Sequence, residues 1–363
     1  MVEQNTKRVP ELDVLRGFGI YLSVLGHCIT YGNGSAFKTS GAWQSTFLYR
    51  IIYSFHMPLL AAVSGIALWC SLQGKKKDSP LRTIGRKSFH LIIPIFSWGV
   101  FSSAFYYLFA PDRFPRSLSQ FFWTCEEAYW FLSAMLLCVF LTLTLHYAFH
   151  AHFICFGIVI VAFFLLPDTH STAAQKTMFI YYYLSFLFAP FFLASLTSFS
   201  KRHIFLVISC AVIFTLLFPW FTEGKCFHVF SLNGYSDPLG RIIHVIRRVL
   251  LGVSGSVVFS YILICFAKKT PHIGNMFISL GKQSFGIYVL SSWLLEWVLQ
   301  RLTSEVSPSL LLTIAESVVI TAVCYFSTIL LKQIPFVDFL AFGGKLPSFL
   351  TKSNSTLKQG NNE

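Results

Sequence analysis

The chain has 363 residues, of which 55% are hydrophobic and only 12% charged, with 40 phenylalanines and a formal net charge of +13. At a mean hydropathy of +0.63 there are too few charged side chains to cover a soluble core, so an ordinary soluble protein is excluded and an all-α polytopic membrane protein is predicted. In a soluble domain this basic excess would suggest nucleic acid, but here lysines and arginines lie between apolar runs, where they orient helices and meet anionic lipid or ligand phosphates, so nucleic acid is not expected as a partner.

Apolar windows of roughly 17–25 residues predict ten transmembrane helices, near 12–30, 47–72, 88–110, 128–148, 152–167, 178–199, 203–221, 245–267, 283–300 and 309–331. Together they make one transmembrane domain over 1–335, followed by a short polar tail over 336–363. Basic residues gather on one side of these windows, with Lys75 to Lys77, Arg82, Arg86, Lys87, Lys201, Arg202, Lys268 and Lys269 as the core of the set. That asymmetry predicts a multi-pass protein with both termini in the cytoplasm.

The first helix, VPELDVLRGFGIYLSVLGHCIT, carries Asp13, Arg16 and His27 inside an apolar segment. A charged group at membrane depth costs at least ~2.5 kcal/mol, so such residues are functional candidates by default. The step from Arg16 to His27 is three helical turns plus ~20°, which puts both on one face about 16 Å apart along the axis. Asp13 lies one turn before Arg16, at pairing distance. A polar seam between packed helices is the plainer alternative for the pair.

In the second helix His56 precedes Met57 and Pro58. The proline lacks an amide proton, so a kink and a carbonyl freed for some neighbouring group are expected there. Ser64 and Gly65, two turns later, offer a small surface for close helix approach. Before the third helix, Arg82, Arg86 and Lys87 stand at its entrance, where guanidinium donors suit phosphates. Lys75 to Lys77 fit plain positive-inside topology.

The loop before the fourth helix ends in Glu126 and Glu127, beside Tyr129 and Trp130. Glu127 is an acid-base candidate, weighed against a solvated helix start with an aromatic belt. His146 and His150 have zinc-like i, i+4 spacing but no carboxylate accompanies them, and no metal is expected. The nine cysteines show no CxxC spacing; Cys125 and Cys226, in loops on a shared side, leave a disulfide open. Arg241, His244, Arg247 and Arg248 recur at three- and four-residue steps, predicting a basic stripe at the surface, for an anionic glycan or as a lipid anchor. The ninth helix reads LGKQSFGIYVLSSW, and Tyr288 falls within it.

With these segments laid out, the chain resembles the acyltransferase-3 family of integral membrane enzymes. ELDVLRG followed by GHC is similar to the family's opening Asp, Leu-Arg-Gly and His; FHMPLLAAVSG to its second-helix signature; YWFLSAML to its Trp-Phe-Leu segment; and LGKQSFGIYVL to its Ser-x-x-x-Tyr pattern. The resemblance implies an O-acyltransferase that moves an acyl group, acetyl in many members, from acyl-coenzyme A to a hydroxyl of an envelope polysaccharide or lipid-linked sugar at the inner membrane. It implies His27 and Arg16 as the critical pair, and coenzyme A as a donor substrate with no permanently bound cofactor. Two positions depart from the pattern. Lys87 and His90 stand where the family has paired arginines, with Arg86 beside them, and Ser291 replaces a histidine. The alternatives are a transporter or flippase using the same intramembrane charges, and an acyltransferase with a non-sugar acceptor.

Overall fold

The structure, a computed structural model, describes residues 9–32, 47–73, 79–149, 153–165, 170–197, 200–221, 238–302 and 309–345. Among these residues every regular element is helical and there is no strand. Helix occupies all ten apolar windows: α1 (Pro10–Tyr31), α2 (Phe47–Leu72), α3 (Pro80–Phe109), α5 (Trp130–Phe149), α6 (Phe153–Leu165), the pair α7 (His170–Leu187) and α8 (Ala189–Thr197), α9 (Lys201–Leu217), α10 (Pro238–Lys269), α12 (Ser284–Trp293) and α13 (Leu310–Leu331). The short helix α4 (Leu118–Ala128) precedes α5, α11 (Pro271–Lys282) precedes α12, and α14 (Pro335–Phe342) follows α13.

Seven of these helices are long and apolar enough to cross a membrane; α7 and α8 form an eighth candidate, bent by 76°. The bend follows from Pro190 in the first turn of α8, which has no amide to continue the α7 ladder. The apolar segments at α6 and α12 are shorter, and α12 runs on through a π-helical stretch, Leu294–Leu299.

The first helix is the axis of the bundle. In its apolar window 78% of residues are buried, against 6% for Lys201–Trp220, which places α1 in the core and α9 on the outer face. Glycines let α1 meet its neighbours backbone to backbone: a Cβ at Gly17 would fall on the Phe277 carbonyl of α11, and one at Gly281 on the Asp13 carbonyl. Gly65 plays the same part between α2 and the Tyr182 carbonyl of α7, the close approach expected of that small-residue pair.

Two stretches differ from the sequence-based expectation. Residues 271–282, read as a link between spans, form the amphipathic helix α11 against α1; Pro271 starts it, and at twelve residues it is too short to register as a span. The boundary at 335/336 falls at the start of α14. Trp98 Nε1 donates to Ala341 O at 2.8 Å, His90 Nδ1 to Gly343 O at 2.7 Å, and Gly343 caps the helix at φ 66°, a left-handed conformation that suits glycine. The chain is therefore packed on α3 as far as Gly343, and 346–363 lie outside the described residues. Lys332, at the turn into α14, donates from Nζ to Gln283 Oε1 at 2.8 Å. Burial lowers its pKa, while Asp338 acts the other way.

The predicted basic stripe divides. Arg247 sits over Trp220, its Cζ 4.6 Å from the ring centroid, whereas His244 and Arg248 are buried. The Arg241 side chain lies outside the described residues. Arg248 donates from Nη1 to Ser54 O and from Nη2 to Tyr53 O, both at 2.9 Å. Ser54 is four residues before Pro58, so its carbonyl is the one the proline leaves without an amide donor. The guanidinium supplies that donor, and a residue read as part of a surface feature ties α10 to α2 one turn before Pro58.

Candidate active site

A cavity of about 860 Å³ opens beside the C-terminal half of α1, within the ~300–1,000 Å³ usual for small-molecule sites. Its wall is built from His27 and Tyr31 of α1, Ser102 and Tyr106 of α3, the turn Asp112 to Arg116, Gln120 and Trp123 of α4, Tyr129 and Trp130, and Tyr288, Ser292 and Trp293 of α12, with Trp297 at its edge. Rigid helices supply most of it. Ser117 caps α4, accepting from Gln120 N at 3.2 Å, and Cys125 packs into the space left by Gly99 of α3. Cys125 is a free, buried thiol whose pKa burial raises; Cys226, its proposed partner, lies outside the described residues.

His27 is partly accessible at this cavity. Its ring meets Tyr31 edge to face at 6.0 Å, and among the described residues no protein hydrogen bond to its nitrogens is recorded. Behind it, Gly26 lies against Tyr53: a Cβ there would sit 2.9 Å from Tyr53 Cε2. Tyr53 in turn packs on His56 at 4.9 Å. His56 is buried and donates from Nδ1 to Ile52 O at 2.7 Å, which leaves its Nε2 as the unprotonated nitrogen of the neutral ring. His56 therefore supports the wall behind His27 and does not line the cavity.

Aromatic rings make up the rest of the surface. Trp293 Nε1 donates to Tyr129 Oη, and Trp293 stacks with Trp297 at 6.1 Å. Tyr288 meets Phe131 edge to face at 5.6 Å. Arg113 and Arg301 both reach Trp297, with Cζ 5.6 and 5.3 Å from the ring centroid. Polar edges on flat apolar faces are what a ligand with hydroxyls and C–H faces requires.

The predicted residues thus separate into groups. His27, Trp130 and Tyr288 share the cavity. Arg16 and Asp13 lie at the other end of α1, with Nη1 to Oδ1 at 3.7 Å and side-chain exposures of 29% and 3%. Arg16 is within electrostatic reach of Cys70 and Tyr182. Arg82 and Arg86 are exposed at the start of α3, and Lys87 Nζ donates to Ser71 Oγ at 3.0 Å. Ser64 Oγ donates to Leu60 O within its own helix at 2.8 Å, a packing role. The Glu127 side chain, His150 and Lys75 to Lys77 lie outside the described residues.

One buried carboxylate escaped the sequence reading. Glu316 of α13 is 8% exposed and stands against the C-terminal end of α1, where a Cβ on Gly32 would be 2.7 Å from its Oε2. The signal was there, a single acid in LLLTIAESVVITAV, and the reasoning that singled out Arg16 applies to it unchanged. Arg113, Trp293 and Trp297 were missed for another reason, since only the fold brings them to His27.

A family model described as an acyltransferase domain, that of the acyltransferase-3 family, matches residues 9–332. The chain belongs to this family. The family model covers almost the whole helical bundle, from the start of α1 to the end of α13. Among curated relatives, "Nodulation protein NolL" of Sinorhizobium fredii (strain NBRC 101917 / NGR234) is 28% identical over 259 residues, 67% of this chain and 64% of its own length. The chain thus spans less than two thirds of that relative's length. No solved structure matches.

Proposed function

We propose that this membrane protein is an acyltransferase that moves an acyl group, acetyl in the simplest case, from acyl-coenzyme A to a hydroxyl of a cell-envelope sugar, with His27 as the proton-transfer group. The observation that carries this reading is the imidazole of His27 facing an 860 Å³ cavity of tyrosines and tryptophans. Such a cavity favours a sugar acceptor. One His27 nitrogen takes the hydroxyl proton as the oxygen attacks the thioester carbonyl. The C–S bond breaks, the ester C–O bond is retained, and the thiolate recovers the proton from the imidazolium. Nothing in the balance needs a metal.

Arg16 keeps its proton in a protein, so its part is charge, held by Asp13 at the opposite end of α1. Arg82, Arg86 and Lys87 form the donor-phosphate patch at the start of α3, on the side of the positive-inside residues, which we assign to the cytoplasm of the inner membrane. The exposed guanidiniums suit phosphates that arrive from water. The test is release of coenzyme A from acetyl-coenzyme A by purified protein in the presence of a sugar acceptor, with the acyl ester on the product identified by mass spectrometry. Donor consumption with an acylated sugar supports the reading, and acylation of a peptide or amine alone would redirect it to a non-sugar acceptor.

A further inference from the structure

A second cavity, about 280 Å³, lies between α2, the bent pair α7–α8, α9 and α10. It has a different character from the first. Pro58, Leu59, Val63, Leu184, Val257 and Ile264 dominate its wall, and two of its serines turn back to their own helices, Ser195 Oγ to Phe192 O and Ser256 Oγ to Gly252 O, both at 2.7 Å. There is no convergence of polar groups of the kind that orients a polar ligand. The cavity lies beside the 76° bend between α7 and α8 and adjoins α9, the candidate span with the least burial among the described helices.

One end of it is cationic. His203 lines the cavity, and Lys268 Nζ reaches the carbonyl of Leu196, another wall residue, at 3.4 Å. Lys201 and Arg202 are exposed just before His203. An apolar slot with basic side chains at one mouth matches a molecule with a hydrocarbon tail and an anionic head, in a solvent that contains such molecules. We propose that this cavity holds one acyl chain of an anionic phospholipid, with its headgroup phosphate against Lys201, Arg202, His203 and Lys268. The site is separate from the His27 cavity and independent of the acyl-transfer reading.

The test is native mass spectrometry of the full-length protein, stripped of lipid in detergent and given phosphatidylglycerol or phosphatidylcholine with matched chains. At ~1 kcal/mol per basic residue near the headgroup, one such contact is already about five-fold, so single-lipid occupancy should favour phosphatidylglycerol at least that much. Val257→Phe, or the gentler Ala62→Leu, should abolish the retained lipid by filling the slot. A combined Lys201→Gln, Arg202→Gln, Lys268→Gln variant should bind the two lipids equally and still transfer acyl groups. Equal retention of both lipids by the unaltered protein overturns the proposal, as does a combined charge variant with the full preference or a folded Ala62→Leu protein with undiminished phosphatidylglycerol.

Discussion

Replacing Arg248 with methionine tests whether the carbonyl that Pro58 leaves open in α2 depends on a cation from α10. Two charged hydrogen bonds are lost, to Ser54 O and Tyr53 O at 2.9 Å each, together with the packing of the guanidinium over Phe221 at 4.8 Å. At ~1.5–3 kcal/mol per charged hydrogen bond the gross loss is about 3–6 kcal/mol. Removing a buried cation recovers part of that, which leaves a net destabilisation of about 2–4 kcal/mol. Pro58→Ala in the same background should return about 1 kcal/mol, because the restored amide of residue 58 donates to Ser54 O. Thermal unfolding in detergent of the parent, both single variants and the double variant completes the cycle. Costs that add within about 0.3–0.5 kcal/mol would show that the two positions are uncoupled, and the capping argument would fail. Tyr53, whose backbone carbonyl the arginine holds, packs its ring against Gly26, next to His27.

Gly17→Ala should lower the unfolding midpoint and expression, since its methyl group would meet the rigid Phe277 carbonyl and force α1 from α11 at a cost of about 1–3 kcal/mol. Gly85→Ala, with nothing within 4 Å of the new carbon, is the control and should gain about 0.5–1 kcal/mol from helix propensity; equal behaviour of the two would refute the close packing. Arg86→Ala should raise the apparent constant for acetyl-coenzyme A about ten-fold or more, through loss of ~1.5–3 kcal/mol of charged hydrogen bonding, and unchanged donor saturation would remove it from the donor site. Trp293→Leu takes away the hydrogen bond to Tyr129 and the stack on Trp297. It should raise KM for the acceptor with donor saturation unaltered, whereas the opposite split would put the donor in the aromatic cavity.

Seven spans and the bent α7–α8 pair were legible because membrane depth leaves a coarse signature, a run of apolar residues long enough to cross hydrocarbon, whereas the windows at α6 and α12 hold helices shorter than the predicted spans. His27 was legible for the complementary reason, an ionisable side chain where few occur. So was the carbonyl freed by Pro58, but the group that satisfies it was not. Arg248 is 194 positions away from Ser54 in sequence, and its three- and four-residue spacing with neighbouring basic residues reads equally well as a surface stripe. Helix α11 was hidden because a short amphipathic helix between two spans looks like a polar loop to a hydropathy window. Its glycine at 281 reveals its purpose only when the Asp13 carbonyl is seen against it. The aromatic wall was the least legible part, since Trp123, Trp293 and Trp297 are ordinary membrane-interface residues until the fold brings them to one cavity.

His27→Gln addresses the central claim most directly, because glutamine keeps a polar, hydrogen-bonding side chain of similar reach but cannot exchange a proton near neutral pH. The purified variant should fold, bind coenzyme A as the parent does, and transfer acyl groups to the sugar acceptor about 10²–10⁴ times more slowly. A well-folded His27→Gln protein that acylates the acceptor at the parental rate would contradict the account.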